Sequence, residues 1–212
     1  EKNDEGFVIM IEGGRIDHAG HANDLHSVVQ EMLEFDEVFQ AAIEYAQKQG
    51  DTSVIATADH ETGGLTIGSQ NIYDAYLDVF EKVTASSETI GLELEEAETD
   101  EMEILRDGLL WDRSVSSYGR EGAFNAIIAK RGIFGWTGHG HTGVDVGVYG
   151  YGPAAELLRG FNDNTDFAKA GAEALGLNLE EATKQLQERY AYPKFMENDE
   201  GVPLFPMEPL AQ

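Results

Sequence analysis

The sequence predicts an α/β fold, a three-layer sandwich with a mainly parallel central sheet that is incomplete in this chain. Two apolar runs, Phe7–Ile11 and Ser53–Thr57, are typical of buried strands. Between them, apolar residues recur at helical spacing over Asp24–Gln49. Strand, helix and strand in this order form a right-handed crossover, which brings both strands to one sheet. Few further strand patterns follow, so we expect neighbouring strands to lie outside the chain.

The boundaries of the elements also follow from local signals. Asp24 can accept a hydrogen bond at the start of the helix, and Gly50 can end it in the left-handed conformation. The alternation of Val144, Val146 and Val148 predicts another strand. Further helices are predicted at Pro153–Arg159, Asp166–Leu175 and Leu179–Tyr190.

The charge of the chain is strongly unbalanced. Forty acidic residues against 14 basic ones give a formal net charge of −26 among 212 residues. Nucleic-acid binding is disfavoured because phosphate contacts need Lys and Arg. No apolar run approaches the roughly 20 residues of a membrane-spanning helix, so no membrane partner is expected. An ordinary acidic protein would account for a smaller excess, and we interpret this one as a halophilic adaptation.

Five of the six histidines lie in three short segments that are also rich in carboxylates or glycines. Each segment alone has an ordinary interpretation, as a helix surface, a strand end or a solvated turn. Together they predict a metal site, because zinc accepts imidazole nitrogen and carboxylate oxygen. The chain has no cysteine, which excludes thiolate cages and favours a hydrolytic metal centre. The three segments are Glu12–His21, Thr57–His60 and Gly138–Gly143.

These motifs resemble the metal-binding half of an alkaline phosphatase in their order and local context. The resemblance rests on Ile11–His21, Val54–Gly64, His141–Gly143 and Tyr151–Pro153. It implies a phosphomonoester hydrolase with two Zn²⁺ ions and one Mg²⁺ ion. A related metallophosphodiesterase, sulfatase or phosphomutase shares only a sparser Asp/His skeleton and stays the enzymatic alternative. A non-enzymatic acidic metal-binding protein is the other alternative.

The resemblance implies a role for each matched residue. Asp17, His21 and His141 would bind the first zinc, which polarises the leaving-group oxygen and later activates the attacking water. Asp59 and His60 would bind the second zinc, which lowers the pKa of a serine hydroxyl.

Three further positions follow from the same resemblance. Glu12 would reach the magnesium site, and His18 is a possible contact to phosphate or to the magnesium site. Some relatives have histidine where this chain has Thr62, so a contact that supports the zinc carboxylates is either missing or replaced. His139 receives no role from the family pattern.

The expected nucleophile has no counterpart in the chain. The family needs a serine preceded by aspartate, a further aspartate between the second zinc and magnesium, and an arginine that clamps phosphate. The nearest candidate, Ser53, lies in the turn before a strand and is interpreted as structural. We therefore expect the serine upstream, in an N-terminal portion of the same enzyme. The resemblance also implies a homodimer, phosphomonoester substrates with inorganic phosphate as product, and a periplasmic or secreted location.

Composition divides the chain into three parts. Residues 1–68 and 131–192 are predicted to form the C-terminal part of the α/β core. Residues 69–130, which include an acidic run, are predicted to be a crown-like insertion. Residues 193–212 contain four prolines and are predicted to be an irregular tail.

The charge of −26 generates a prediction about salt. We expect the melting temperature of the intact protein to rise with NaCl, because ions screen the repulsion between carboxylates. Most of the rise should come early, since the Debye length falls from about 10 Å at 0.1 M to about 3 Å at 1 M. Melting curves at fixed pH and metal concentration, with a charge-neutralised surface variant as control, provide the measurement. Equal stability with and without salt would remove the halophilic interpretation.

Overall fold

Helices and short strands alternate along the residues that the computed structural model describes, 6–96 and 119–190. This mixture agrees with the predicted α/β class. The elements are, in chain order, α1 (Gly14–His21), α2 (Leu25–Gln49), β1 (Val54–Thr57), β2 (Glu61–Thr62), β3 (Thr66–Ile67), α3 (Val79–Lys82), α4 (Ser87–Glu96), α5 (Gly119–Gly132), β4 (Phe134–Gly135), β5 (His141–Thr142), β6 (Val148–Tyr151), α6 (Pro153–Glu156), α7 (Asp166–Ala174) and α8 (Leu179–Tyr190).

The strands form three separate two-stranded pairs. β1 pairs with β6, β2 pairs with β5, and β3 pairs with β4. The β2–β5 and β3–β4 pairs are antiparallel. The mainly parallel central sheet and the three-layer arrangement therefore stay predictions.

Two strand predictions differ from the structure. Phe7–Ile11 forms no strand, and its side chains are exposed, with Val8 at 81% and Met10 at 88%. The reason is that a strand is defined by hydrogen-bonded neighbours, and none of the described residues pairs with this run. The strand predicted from Val144 begins instead at Val148, because its partner β1 has only four residues to pair with.

The long helix α2 agrees with its prediction at both ends. The Asp24 carboxylate accepts a hydrogen bond from the Ser27 N–H at 2.9 Å, which caps the first turn. Gly50 has φ +83°, and its N–H donates to the Ala46 carbonyl at 2.9 Å. That left-handed conformation is one which glycine adopts without steric cost.

The chain forms two compact units. The first comprises Glu1–Gly50 and Ala56–Tyr149. A buried apolar cluster joins the start of α2 to α3, α5 and β4, and the rings of Phe80 and Phe134 meet edge to face at 5.9 Å. The division predicted at residues 69 and 131 stays a prediction, and residues 97–118 lie outside the described part. The buried members of the cluster are Leu25, Val79, Val83, Ile128, Ala129 and Phe134.

The second unit comprises Asp51–Ile55 and Gly150–Gln212. The Ser53 hydroxyl accepts the Ala154 N–H at 3.1 Å at the start of α6, so Ser53 has the structural role predicted for it. A Cβ atom at Gly150 would lie 2.7 Å from the Val54 carbonyl oxygen, which requires glycine there. The predicted helices α7 and α8 are present, and α6 is shorter than predicted. The predicted tail 193–212 lies outside the described residues.

No helix in the described part of the chain is both long enough and apolar enough to cross a membrane.

A buried polar network connects three helices of the first unit. Asp24, at 4% exposure, accepts hydrogen bonds from the Ser27 hydroxyl at 2.8 Å and from the Ser87 N–H at 2.7 Å. Asn125 on α5 donates to the Ala22 carbonyl at 2.8 Å and to the Ser87 hydroxyl at 3.0 Å. The Ser87 hydroxyl donates to the Glu121 carboxylate at 3.2 Å. The network fixes the starts of α2 and α4 against α5.

We expect Asp24→Ala to lower the free energy of unfolding by about 2–4 kcal/mol, because it removes a helix cap and leaves the buried Ser87 N–H without an acceptor. Asp24→Asn should lose less, since one side-chain oxygen remains. Asp78→Ala is the matched control: Asp78 precedes α3 without capping it and forms an exposed ion pair with Lys82. Urea unfolding of the metal-free protein measures all three. A loss for Asp24→Ala no larger than that of the control would contradict the role of the network.

Candidate metal centre

Helix α1 brings the first two candidate ligands together. Asp17 and His21 stand four residues apart on α1, a spacing that places them on one face of the helix. The Asp17 Oδ1 and His21 Nε2 atoms are 3.5 Å apart. Their side chains are 39% and 38% exposed, so the pair remains accessible from solvent.

β5 adds the third candidate ligand from a distant part of the chain. The His141 Nε2 atom lies 3.2 Å from the His21 Nε2 atom and 3.9 Å from the Asp17 Oδ1 atom. Asp17, His21 and His141 thus form a group whose ligand atoms all lie within 4.8 Å of one another.

The donor set and its spacing fit a zinc ion. With bonds of about 2.0–2.1 Å, tetrahedral geometry separates ligand atoms by about 3.4 Å. The three observed separations, 3.2, 3.5 and 3.9 Å, lie around this value. Two imidazoles and one carboxylate leave a fourth position, which is the arrangement of a catalytic rather than a structural zinc site.

The β2–β5 pair places His60 beside this group. Thr62 lies opposite His141 in the register, and the rings of His60 and His141 stack with centroids 3.5 Å apart. The Asp59 Oδ2 and His60 Nε2 atoms are 3.4 Å apart, and the Asp59 side chain is 89% exposed. Within the described residues, no third Asp, Glu or His completes a group around Asp59 and His60.

Glu61 holds the β2–β5 pair together. Its carboxylate accepts the Gly64 N–H at 2.6 Å and the Thr142 hydroxyl at 2.5 Å. Sequence reasoning missed Glu61 and Thr142, because a cross-strand contact depends on a register that no local pattern contains. The only hint was their position, each directly after a candidate histidine ligand.

One cavity connects the remaining predicted site residues. Its volume is about 410 Å³. The Arg15 guanidinium lies beside this space, with an Nη1 atom 3.2 Å from His18 Nδ1. The cavity thus combines several carboxylates with one guanidinium. Its lining residues are Glu12, Gly14, Arg15, Asp17, His18, Asp59 and His60.

Thr62 contacts a candidate ligand carboxylate, a contact that the sequence alone left undecided. Its hydroxyl donates to Asp17 Oδ1 at 2.6 Å and lies 3.2 Å from His60 Nδ1. This hydrogen bond is the main reason that the pKa of Asp17 lies below its ordinary value; the nearby imidazoles lower it further, and partial burial opposes them. A supporting group of this kind orients a ligand carboxylate and keeps it ionised.

Comparison with known proteins identifies the family. The family model described as alkaline phosphatase matches residues 1–177. The chain belongs to the alkaline phosphatase family. It is 36% identical over 204 residues to alkaline phosphatase 3 of Bacillus subtilis, and 32% identical over 225 residues to the repressible alkaline phosphatase of Saccharomyces cerevisiae. Among solved structures, the cold-active alkaline phosphatase of a psychrophilic Shewanella species aligns with a TM-score of 0.72 at 34% identity.

The chain spans less than half the length of these relatives. The alignments cover 84% of the chain and 42% of the Bacillus protein, and 89% of the chain and 40% of the yeast protein. The structural alignment covers 82% of the chain and 46% of the Shewanella protein.

The Thr62 contact generates a prediction about Asp17. Thr62→Val keeps the branched shape and removes the hydroxyl, so we expect the pKa of Asp17 in the metal-free protein to rise toward the ordinary value of an aspartate. A carboxyl whose pKa is lowered in the folded state stabilises the fold at pH values above its ordinary pKa. This contribution is lost as the pH falls through the folded-state pKa. Thr62→Val should therefore melt below the parent at pH 7, and the difference should shrink below about pH 4.

Carboxyl titration by NMR, together with melting curves against pH, measures this effect. Thr62→Ser is the control, since it keeps a hydroxyl and should leave the pKa of Asp17 low. An unchanged Asp17 pKa in Thr62→Val would show that the hydrogen bond is not what lowers it.

Proposed function

We propose that this chain carries the metal-binding part of an alkaline phosphatase that hydrolyses phosphomonoesters with two Zn²⁺ ions and one Mg²⁺ ion. The observation that carries the proposal is the Asp17, His21 and His141 group, whose three ligand atoms have the spacing of a tetrahedral zinc site. Family membership supports the reaction class.

Each candidate ligand has a defined part in this proposal. Asp17, His21 and His141 hold the first Zn²⁺, and Asp59 and His60 contribute to the second. When bound, the ions would act as Lewis acids toward the phosphoryl oxygens and lower the pKa of an attacking hydroxyl. The exposed carboxylate of Asp59 is available for further coordination.

Two other cavity residues complete the proposal. Glu12, which lines the same cavity, contributes to the Mg²⁺ site. Because a guanidinium only donates hydrogen bonds, Arg15 requires His18 Nδ1 to be an acceptor. The proton of neutral His18 is then on Nε2, where it can donate to a phosphate oxygen. Arg15 adds a fixed positive charge near that oxygen.

The covalent step would take place on residues outside the 212. A serine hydroxyl there would take the phosphoryl group from the ester and release the alcohol. Water would then hydrolyse the phosphoserine to free serine and inorganic phosphate. The short coverage of the relatives supports a further portion of the same enzyme as partner of this chain, and the family resemblance implies that this portion is N-terminal. The completed mainly parallel sheet, the homodimer and the periplasmic or secreted location rest on the family resemblance.

The clustering of the histidines favours this function over the alternatives. An acidic metal-storage protein would bind ions weakly at many dispersed carboxylates, whereas three ligands from positions 17, 21 and 141 converge here. A sulfatase, phosphodiesterase or phosphomutase stays the enzymatic alternative. A panel of phosphomonoesters, phosphodiesters and sulfate esters separates these reaction classes.

We expect His141→Ala to lower both zinc content and phosphomonoester turnover of the intact enzyme, by more than the roughly 10- to 100-fold typical of groups that only support a ligand. Asp59→Ala should lose most turnover as well, since it removes a ligand of the second ion. Chelation should abolish parent activity, and Zn²⁺ with Mg²⁺ should restore it. Metal analysis and steady-state kinetics provide the measurements.

His26→Ala is the matched control, because His26 is the one histidine outside the three motifs. It should retain metal and turnover. Full activity of His141→Ala or Asp59→Ala, at parent levels of folding, would contradict the assignment.

A further inference from the structure

The loop before His141 is held on two sides. On one side, the Gly63 N–H donates to the Gly140 carbonyl at 2.8 Å, and the Gly138 N–H donates to the Gly63 carbonyl at 3.2 Å. Gly63 has φ +86°, and a Cβ atom there would lie 2.8 Å from the Gly20 carbonyl oxygen. The turn that follows β2, the end of α1 and this loop are therefore in direct backbone contact.

On the other side, His139 and His21 exchange hydrogen bonds. The Nδ1 atom of His21 lies 2.5 Å from the His139 carbonyl oxygen, and the Nδ1 atom of His139 lies 2.8 Å from the His21 carbonyl oxygen. A carbonyl oxygen only accepts, so both Nδ1 atoms carry protons. Two residues that are 118 positions apart thus hold each other through ring and backbone at once.

This arrangement determines which nitrogen of His21 can bind a metal. With the proton on Nδ1, the lone pair of neutral His21 is on Nε2. That atom is the one that faces His141 Nε2 at 3.2 Å and Asp17 Oδ1 at 3.5 Å. A carbonyl that accepts the second ring N–H of a histidine ligand fixes both its tautomer and its ring orientation.

We propose that His139 is a positioning residue for the metal centre, and that its side chain keeps the 139 carbonyl against His21 and so holds His21 in the metal-binding tautomer. This inference rests on the proposed function for the metal itself. His139 is also two residues before His141, so the same loop position controls the approach of both histidine ligands. Its ring donates to the His21 carbonyl, and His139 is not a member of the candidate ligand group, which separates its role from that of the ligands.

The test compares His139→Ala and His139→Asn in the intact enzyme. Both variants keep the backbone carbonyl at 139, but only Asn keeps a side-chain N–H that can reach the His21 carbonyl. We expect zinc affinity, measured by competition with a chelator, to fall roughly 10- to 100-fold in His139→Ala, the range typical of groups behind a ligand. The Asn variant should recover most of this loss, and the Co²⁺ absorption spectrum should change in Ala and not in Asn.

A second measurement works without metal. In the metal-free protein, ¹⁵N NMR of the imidazoles should show His21 protonated at Nδ1 in the parent and a mixture of tautomers in His139→Ala. If His139→Ala only lowers the melting temperature, with tautomer, zinc affinity and Co²⁺ spectrum unchanged, His139 is a loop anchor and the inference is overturned. If the parent binds no zinc, the proposed function fails, and the tautomer measurement still decides the role of His139.

Discussion

The carboxylate of Asp24 accepts hydrogen bonds from the starts of α2 and α4, and the position of the candidate site depends on it. Three residues before it, His21 ends α1, and the Asp24 N–H donates back to the Ala19 carbonyl at 2.9 Å. The N–H groups of Ala22 and Asn23 likewise donate to the His18 and Gly20 carbonyls, so the last turn of α1 cannot rotate without breaking these hydrogen bonds. The backbone position of His21 is therefore determined by the same contacts that hold the helices together, and the His139 carbonyl then orients its ring.

The candidate ligands are brought together by one local arrangement, within helix α1, and by one long-range strand pairing. Helical spacing alone brings Asp17 to His21, which requires no tertiary contact. His141 arrives only through the β2–β5 register, which Glu61 and Thr142 secure across the strands. Supporting contacts such as that of Thr62 with Asp17 then orient the carboxylate. The three candidate ligands thus lie on a helix and a strand, and backbone hydrogen bonds connect the neighbouring loops to these elements.

Sequence reasoning succeeded where local physics decides the structure. The caps of α2 at Asp24 and Gly50 follow from side-chain and backbone preferences, and the structure confirms both. The prediction of a strand at Phe7–Ile11 was wrong, because apolar residues alone do not indicate which strand would provide the hydrogen-bonding partner. The metal motifs could be recognised from residue type and spacing. The roles of Glu61 and Thr142 could not, since they depend on the β2–β5 register, which joins residues about 80 positions apart.

The convergence of positions 21 and 141 has a thermodynamic consequence for a chain without cysteine. A metal ion held by Asp17, His21 and His141 would close a loop of about 120 residues, as a disulfide bond would. The chain-entropy relation for a covalent cross-link of that length corresponds to about 5 kcal/mol. In the proposed site, reversible coordination would therefore constrain the unfolded chain as a disulfide bond constrains many secreted proteins. The strength of this cross-link would follow the free metal concentration rather than the redox potential.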